Sequence, residues 1–82
     1  MVPVLTLYGK PGCHLCDDAR AAVRDVLAGR DAALREVDVT LDPVLERRYG
    51  ERIPVVALDG EELFDYVVDT DVLEERLDRV GA

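Results

Sequence analysis

The 82-residue sequence predicts a single α/β domain, residues 1–82, in which a four-stranded mixed β-sheet is flanked by three helices. Three observations lead to this prediction. Short apolar runs typical of strands alternate with segments whose apolar residues recur every three or four positions. Crossovers through helices require parallel pairing of the first strands. An Asp-Gly turn between two later apolar runs predicts an antiparallel hairpin. The predicted order is β-α-β-α-β-β-α, with helices on both faces of the sheet.

The first two elements are a strand and an amphipathic helix. Residues 2–8 (VPVLTLY) are apolar and largely β-branched, and the glycines and proline that follow predict a buried strand entering a tight loop. From Cys13 onward the period changes, and charged residues fill one side of the segment up to Gly29. This pattern predicts a helix ended by Gly29. Its apolar face comprises Cys16, Ala19, Val23, Val26 and Leu27.

A second strand and a short helix follow. Residues 33–39 (ALREVDV) alternate imperfectly between polar and apolar side chains, which favours a strand. Asp42 is a suitable N-cap, and Pro43 is suited to the first helical position because its missing N–H needs no partner there. We therefore predict a short helix that begins at Pro43 and ends at Gly50.

A hairpin and a final helix complete the chain. Residues 53–58 (IPVVAL) and 61–68 (EELFDYVV) flank the turn at 59–60. The segment Asp71-Val-Leu-Glu74 resembles a capping box, so the last helix is expected to begin near Asp71. The side chains expected to point inward from this helix are Val72, Leu73, Leu77 and Val80.

Composition and charge limit the choice of partner. Eighteen acidic residues against ten basic ones give a formal net charge of −8, which argues against nucleic acid and anionic lipid and favours a basic or neutral partner. The N-terminal MVPVLTLYGK has no basic region before its apolar run, and no later run is long enough to cross a membrane. We expect a monomeric protein in the cytosol.

Both cysteines, the only histidine and the only lysine lie within seven residues, KPGCHLC. Reducing pools in the cytosol keep structural disulfides open, and a bridge across four residues removes little chain entropy. Three interpretations remain: reversible redox chemistry, metal binding, and two inert core cysteines. A structural zinc needs four ligands, and His14 is the only other soft one, so no metal site is expected within one chain. A metal or iron–sulfur cluster bridging two chains stays open.

The element order, the Cys-x-x-Cys pair opening the first helix and Pro54 at the start of the third strand together resemble the thioredoxin fold. The small size and the YGKPGC lead-in resemble its glutaredoxin-like branch, and the resemblance covers essentially the whole chain. It implies a thiol–disulfide oxidoreductase that uses Cys13 and Cys16. It also implies a cis Ile53–Pro54 peptide facing this pair, with the backbone of Ile53 offered to a substrate strand.

The position of each cysteine suggests its role. Cys13 would sit at the first helical turn, where unpaired N–H groups and the helix dipole favour a thiolate. Lys10 adds a nearby positive charge, and His14 does so if protonated, although each is also consistent with a plain surface residue. Acidic residues 17–18 oppose ionisation from a full turn away. We expect Cys13 to be partly or mostly ionised at neutral pH and to attack a substrate disulfide. Cys16, facing the core, would be the resolving thiol.

The sequence departs from dithiol glutaredoxins around this pair. His14-Leu15 replaces their common Pro-Tyr, and residues 67–68 (VV) replace the Gly-Gly that holds the γ-glutamyl end of glutathione. Branched side chains obstruct such close backbone contact. Asp71, with Asp69, would attract the amino group of glutathione but repel its carboxylate.

The expected substrate-binding residues are Lys10, Ile53, Pro54 and Asp71. We expect no resident cofactor, and glutathione only as a weak co-substrate; another small thiol, a reductase or a protein disulfide is favoured. Tyr8 and Tyr66 are candidates for the rim of the site or for the core. The rival hypothesis is a non-catalytic binding module or an intersubunit iron–sulfur or metal carrier on the same fold.

Overall fold

The computed structural model describes residues 2–82, and the element order predicted from the sequence is confirmed. The elements are β1 (Val4–Gly9), α1 (His14–Leu27), β2 (Ala33–Asp38), α2 (Pro43–Tyr49), β3 (Val55–Leu58), β4 (Glu61–Asp65) and α3 (Thr70–Arg79). One turn of 3₁₀ helix, Val39–Leu41, joins β2 to α2. Within residues 2–82, no helix has both the length and the apolar character needed to cross a membrane.

The four strands form one mixed sheet in the order β2-β1-β3-β4. β1 pairs in parallel with β2, whereas β3 pairs antiparallel with both β1 and β4. In this register Tyr8, near the end of β1, lies opposite Val55, the first residue of β3. The loop that follows β1 and the segment that precedes β3 therefore meet at one edge of the sheet. This edge carries both Cys-x-x-Cys and Pro54.

The larger part of the core lies between the sheet and helices α1 and α3. Alternate residues of β1 and β3 point to this side because successive strand residues face opposite ways. The buried side chains of this layer are Leu5, Leu7, Ala19, Val23, Val26, Val56, Leu58, Leu73 and Leu77. Each fully buried leucine or valine stabilises the fold by about 1.5–3 kcal/mol relative to an exposed one. Ala19, Val23 and Val26 of the predicted apolar face of α1 are buried in this layer and Leu27 is partly buried against it, whereas Cys16 is buried in a second cluster.

A smaller core lies on the opposite face of the sheet, under α2. Its buried members are Cys16, Val39, Tyr49, Ile53 and Val55. Tyr8, Cys13 and Leu45 pack against it from its edge. The predicted cap of α2 is confirmed, since Asp42 Oδ1 accepts a hydrogen bond from Val44 N at 2.9 Å and Pro43 occupies the first turn. The helices therefore cover both faces, as predicted, and the cysteine pair belongs to this smaller core.

The predicted start of α3 is wrong. Asp69, not Asp71, is the N-cap: its backbone is extended, and Oδ1 accepts a hydrogen bond from Val72 N at 3.2 Å. Asp71 instead lies exposed in the first turn. Two of the four expected inward side chains are also wrong, because Val72 is 41% exposed and Val80 is 51% exposed. Leu73 and Leu77, four residues apart on one helix face, are the buried pair, so neighbouring position 72 turns toward solvent.

The predicted strand limits shift at five places. β1 ends at Gly9 rather than residue 8, and β3 begins at Val55 rather than residue 53. β1 begins at Val4 rather than residue 2, and β2 ends at Asp38, so that Val39 opens the 3₁₀ turn. β4 ends at Asp65 rather than residue 68. Tyr66 adopts a left-handed φ of 65°, which takes the chain out of the strand direction and toward α3.

Candidate active site

Cys13 is the N-cap of α1. Its backbone is extended (φ −95°, ψ 113°), and its Sγ accepts a hydrogen bond from Cys16 N at 3.2 Å. The preceding Gly12 has a φ of 73°, a left-handed conformation that glycine adopts without a steric penalty, and this turn delivers the chain into the helix. Cys13 is partly exposed. Its sulfur therefore lies where unpaired N–H groups and the helix dipole stabilise an anion.

Cys16 occupies a different environment one turn further along. Its side chain is 0% exposed and packs with Val39, Tyr49 and Ile53 in the smaller core. The pKa of the Cys16 thiol is raised to about 11. Burial is the largest cause and a hydrogen bond with Cys13 is the second. Cys16 therefore remains protonated at neutral pH. The expectation that Cys16 faces the core is confirmed, and both cysteines are free thiols.

The segment before β3 lies at the same edge as the two cysteines. The Ile53–Pro54 peptide is cis, as the resemblance implied. Pro54 is fully buried, and Ile53, 8% exposed, belongs to the core cluster that includes Cys16 and against which Cys13 packs. The carbonyl of Pro54 accepts a hydrogen bond from Tyr66 N at 2.9 Å, which ties the end of the hairpin to its start.

A cleft of about 460 Å³ runs from the loop after β1 along α2. Lys10 and Ile53, both expected to bind substrate, contribute to its lining, together with charged side chains of α2 that include Glu46 and Arg47. The structure therefore brings Lys10 and Ile53 to one cavity beside the cysteine pair. Asp71 is not among the residues that line it. Lys10 is exposed, as a residue that meets a charged group of a substrate requires.

His14 faces the exposed side of α1. Its side chain is 90% exposed, and its Nε2 lies 3.8 Å from Asp18 Oδ2, one helical turn away. A side-chain contact this exposed contributes little to stability. The imidazole is thus directed along the outer surface of the helix, and this arrangement favours the interpretation of His14 as a bystander.

Two tyrosines, Tyr8 and Tyr49, lie at the smaller core that contains Cys16. The rings of Tyr8 and Tyr49 stack with their centroids 4.2 Å apart, beside the cluster that holds Cys16. The guanidinium groups of Arg48 and Arg52 lie 5.3 and 5.5 Å from the Tyr49 ring centroid. The pKa of Tyr49 is raised, mainly because the side chain is buried and to a smaller extent because Tyr8 lies beside it. Sequence reasoning left Tyr8 between rim and core and missed Tyr49, whose four-residue spacing from Leu45 was the available signal.

A patch of exposed apolar side chains lies on the other side of the pair. It consists of Leu15, 45% exposed, Tyr66, 47% exposed, and Val67, 71% exposed, which border a groove of about 200 Å³. Tyr66 is a rim residue, and its hydroxyl donates a hydrogen bond to Glu51 O at 2.7 Å. Asp18 is the acidic residue that lines the groove. We call Leu15, Tyr66 and Val67 the rim patch.

Among residues 2–82, no group of three or more histidine, cysteine, aspartate or glutamate side chains is placed to hold a metal ion. Both cysteines are free thiols, and their sulfurs lie in different environments. One is accessible at a helix N-terminus and the other is buried one turn behind it.

Comparison with known proteins agrees with this architecture. Residues 4–78 match the family model described as a glutaredoxin-like domain (DUF836). Protein XcR50 from X. campestris is 39% identical, over 92% of this chain and 96% of its own, with a TM-score of 0.75. Protein Ne2328 from Nitrosomonas europaea is 29% identical, over 93% and 92% of the two chains, with a TM-score of 0.80.

A thioredoxin also matches. A mutant thioredoxin from Halobacterium salinarum is 28% identical, over 94% of this chain and 73% of its own, with a TM-score of 0.67. The fold is accordingly thioredoxin-like, as the sequence predicted. From the match over residues 4–78 it follows that the chain belongs to the glutaredoxin-like domain family.

Proposed function

We propose that the protein is a small thiol–disulfide oxidoreductase in which Cys13 is the nucleophile and Cys16 the resolving thiol. The observation that carries the proposal is the difference between the two sulfurs. Cys13 is partly exposed and accepts the Cys16 N–H at the start of α1, whereas Cys16 is fully buried with a raised pKa. A thiolate is the attacking species in disulfide exchange, so the accessible, helix-capping sulfur is suited to the first attack.

The reaction proceeds in two exchanges. The Cys13 thiolate attacks one sulfur of the substrate disulfide, forms a mixed disulfide, and expels one substrate thiolate, which takes a proton from water. Cys16 then loses its proton and attacks the Cys13 sulfur. The mixed disulfide breaks, the Cys13–Cys16 bond forms, and the second substrate thiolate takes up the proton. The substrate gains two electrons and the protein loses two, which a small thiol or a reductase returns.

Features around the pair favour a protein disulfide over glutathione. The rim patch offers apolar surface that includes Leu15, the residue before Cys16, and Val67 and Val68 put branched side chains just ahead of the Asp69 cap of α3. On the opposite side, Lys10 and Ile53 border the cleft along α2. The net charge of −8 favours substrates with basic residues near their disulfide. We further propose that the protein works as a monomer in the cytosol, without a resident cofactor.

The first experiment compares turnover of a protein disulfide by the wild type, Cys13→Ser and Cys16→Ser, with dithiothreitol as the reductant. We expect Cys13→Ser to fall to the uncatalysed rate, because no accessible nucleophile remains. When dithiothreitol is left out, Cys16→Ser should accumulate the mixed disulfide, because no thiol remains to resolve it. Slow turnover by the wild type with every reductant, together with iron bound after anaerobic purification, would support the non-catalytic cluster carrier instead.

The second experiment tests the thiol preference. Steady-state turnover with glutathione is compared for the wild type and Val67→Gly/Val68→Gly, and we expect the glycines to raise it because they allow close backbone contact. Val44→Gly is a matched control, since Val44 is a similarly exposed valine, 64% against 71%, on α2. Efficient glutathione turnover by the wild type that the glycines leave unimproved would show that the Val-Val segment does not disfavour glutathione.

A further inference from the structure

Gly9, the last residue of β1, lies against the buried sulfur of Cys16. A Cβ at Gly9 would be 2.9 Å from Cys16 Sγ and 3.3 Å from Cys16 Cβ. Among residues 2–82, and apart from its chain neighbours, no other heavy atom comes within 4 Å of that position. Gly9 is buried, and its φ lies outside the left-handed range that Gly12 and Gly60 occupy. Conformational freedom is therefore not the reason for a glycine here.

The missing side chain of Gly9 makes room for one group only, the side chain of Cys16. Because Cys16 is 0% exposed and belongs to one buried cluster with Val39, Tyr49 and Ile53, its sulfur has little space into which it can move. The close approach also brings the next backbone group to the sulfur. The N–H of Lys10 lowers the pKa of Cys16, against burial and Cys13, which raise it.

We propose that Gly9 is a positioning residue for the resolving step: by lacking a side chain, it lets the end of β1 approach Cys16 and keeps this sulfur aligned for attack on the Cys13 sulfur of the mixed disulfide. The inference rests on the proposed function. In that step the bond between Cys13 and the substrate sulfur breaks, the Cys13–Cys16 bond forms, and the proton of Cys16 passes through solvent to the departing thiolate. Gly9 contacts neither the substrate nor Cys13 in this scheme and acts through Cys16.

The test is a single-turnover reaction of the reduced full-length chain with an equimolar symmetrical aromatic disulfide whose released thiolate is coloured. The first release reports attack by Cys13, and the second reports resolution by Cys16. In Gly9→Ala we expect the first rate to stay within about twofold of the wild type and the second to fall at least about tenfold, since a misplacement of about 1 Å can cost on the order of 100-fold in rate.

Gly60→Ala is the matched control. Gly60 lies in the hairpin turn with a φ of 90°, and a Cβ there would meet no heavy atom of residues 2–82 within 4 Å beyond its chain neighbours. Alanine at this position therefore strains the backbone away from the site, and both releases should match the wild type. Equal slowing of both releases in Gly9→Ala, or an unchanged second release, would overturn the inference. Failure of the proposed function would give a different result, because Cys13→Ser would then release the first thiolate as fast as the wild type does.

A double-mutant cycle separates a contact with the thiol from a general packing defect. The urea midpoint of reduced Gly9→Ala is compared with the wild type, and that of Gly9→Ala/Cys16→Ala with Cys16→Ala. We expect most of the loss in midpoint to disappear in the Cys16→Ala background, because the clashing sulfur is gone. Folding of the Gly9 variant only in that background would also support the inference. An equal loss in both backgrounds, or failure to fold in both, would overturn it.

Discussion

Cys16 and Cys13 are the same residue type three positions apart, and their surroundings make them chemically different. Cys13 ends a loop and caps a helix, so its sulfur meets solvent and a backbone N–H. Cys16 is enclosed by apolar side chains, and burial is the largest cause of its raised pKa. A low-dielectric environment disfavours the charged form of a thiol, so the buried sulfur stays protonated at neutral pH.

The raised pKa predicts that Cys16 makes the stability of the reduced protein depend on alkaline pH. Below its ordinary pKa of 9.0 this thiol is protonated in both folded and unfolded chains, and its contribution to stability is fully present. Between 9.0 and about 11 the unfolded chain has released the proton while the folded chain retains it, so stability falls as the pH rises. The loss due to Cys16 should total about 2–3 kcal/mol.

Urea unfolding of the reduced protein across the range from about pH 8 to about pH 11 measures this loss. Cys16→Ala is the control, because it removes this thiol and leaves every other ionisable group of the chain in place. We expect a shallower decline for this variant than for the wild type. Equal declines would mean that Cys16 ionises as readily in the folded as in the unfolded chain.

At the residue scale, the sequence predicted those side-chain environments that depend on the spacing of residues along one helix. The Cys-x-x-Cys pair at a helix start predicted an accessible Cys13 and a core-facing Cys16, and the environments of both follow from their positions on one helical turn. The sequence did not predict that Gly9 clears space for a sulfur or that Tyr49 stacks on Tyr8. Each of these contacts joins segments of the chain that only the folded sheet and helices bring together.

At the scale of the elements, α2 and α3 differ in how clearly their sequences define a start. Asp42 is followed by Pro43, which suits only the first turn of a helix, so the α2 start was predicted correctly. Before α3, Asp69 and Asp71 are both capping residues by type. Burial of Leu73 and Leu77 on one face decides the outcome, and this tertiary preference is not visible in the local sequence. The same cause exposes Val72.

The cap of α3 gives a prediction with an internal control. Asp69→Ala should lower the free energy of unfolding by about 1 kcal/mol, because it removes the acceptor for Val72 N. Asp71→Ala removes the same type of side chain from a position at which, within residues 2–82, it accepts no hydrogen bond from a backbone N–H, and it should cost less, within about 0.5 kcal/mol. Urea denaturation of both variants measures the difference. A larger loss for Asp71→Ala would restore the cap predicted from the sequence.

At the scale of the whole molecule, sheet register assembles the site. The opposition of Tyr8 and Val55 brings the loop after β1 to the cis Ile53–Pro54 segment, although more than forty residues separate them. The resemblance to the thioredoxin fold predicted this meeting, which periodicity alone could not. The whole chain also carries a net charge of −8, although the cleft along α2 is lined by Lys10 and Arg47 as well as by acidic side chains.

The net charge predicts that the rate of disulfide reduction depends on salt, and that the sign of this dependence is set by the charge of the substrate. For a disulfide-linked peptide flanked by lysines, the second-order rate constant of reduction should fall as salt rises, because ions screen the attraction beyond a Debye length of about 10 Å at 0.1 M. For the same peptide flanked by glutamates the rate constant should rise. Stopped-flow measurement over a salt series tests both. Identical salt dependence for the two peptides would contradict a role for the acidic surface in substrate choice.

The division of labour between the two cysteines is tested most directly by identifying the residue that forms the mixed disulfide. Cys16→Ser is incubated with a disulfide-linked peptide, quenched in acid, digested and mapped by mass spectrometry. We expect a peptide adduct on Cys13 in this variant and no adduct in Cys13→Ser, whose remaining thiol is buried and protonated at neutral pH. An adduct on Cys16 in Cys13→Ser, formed as fast and in the same yield, would contradict this division of labour.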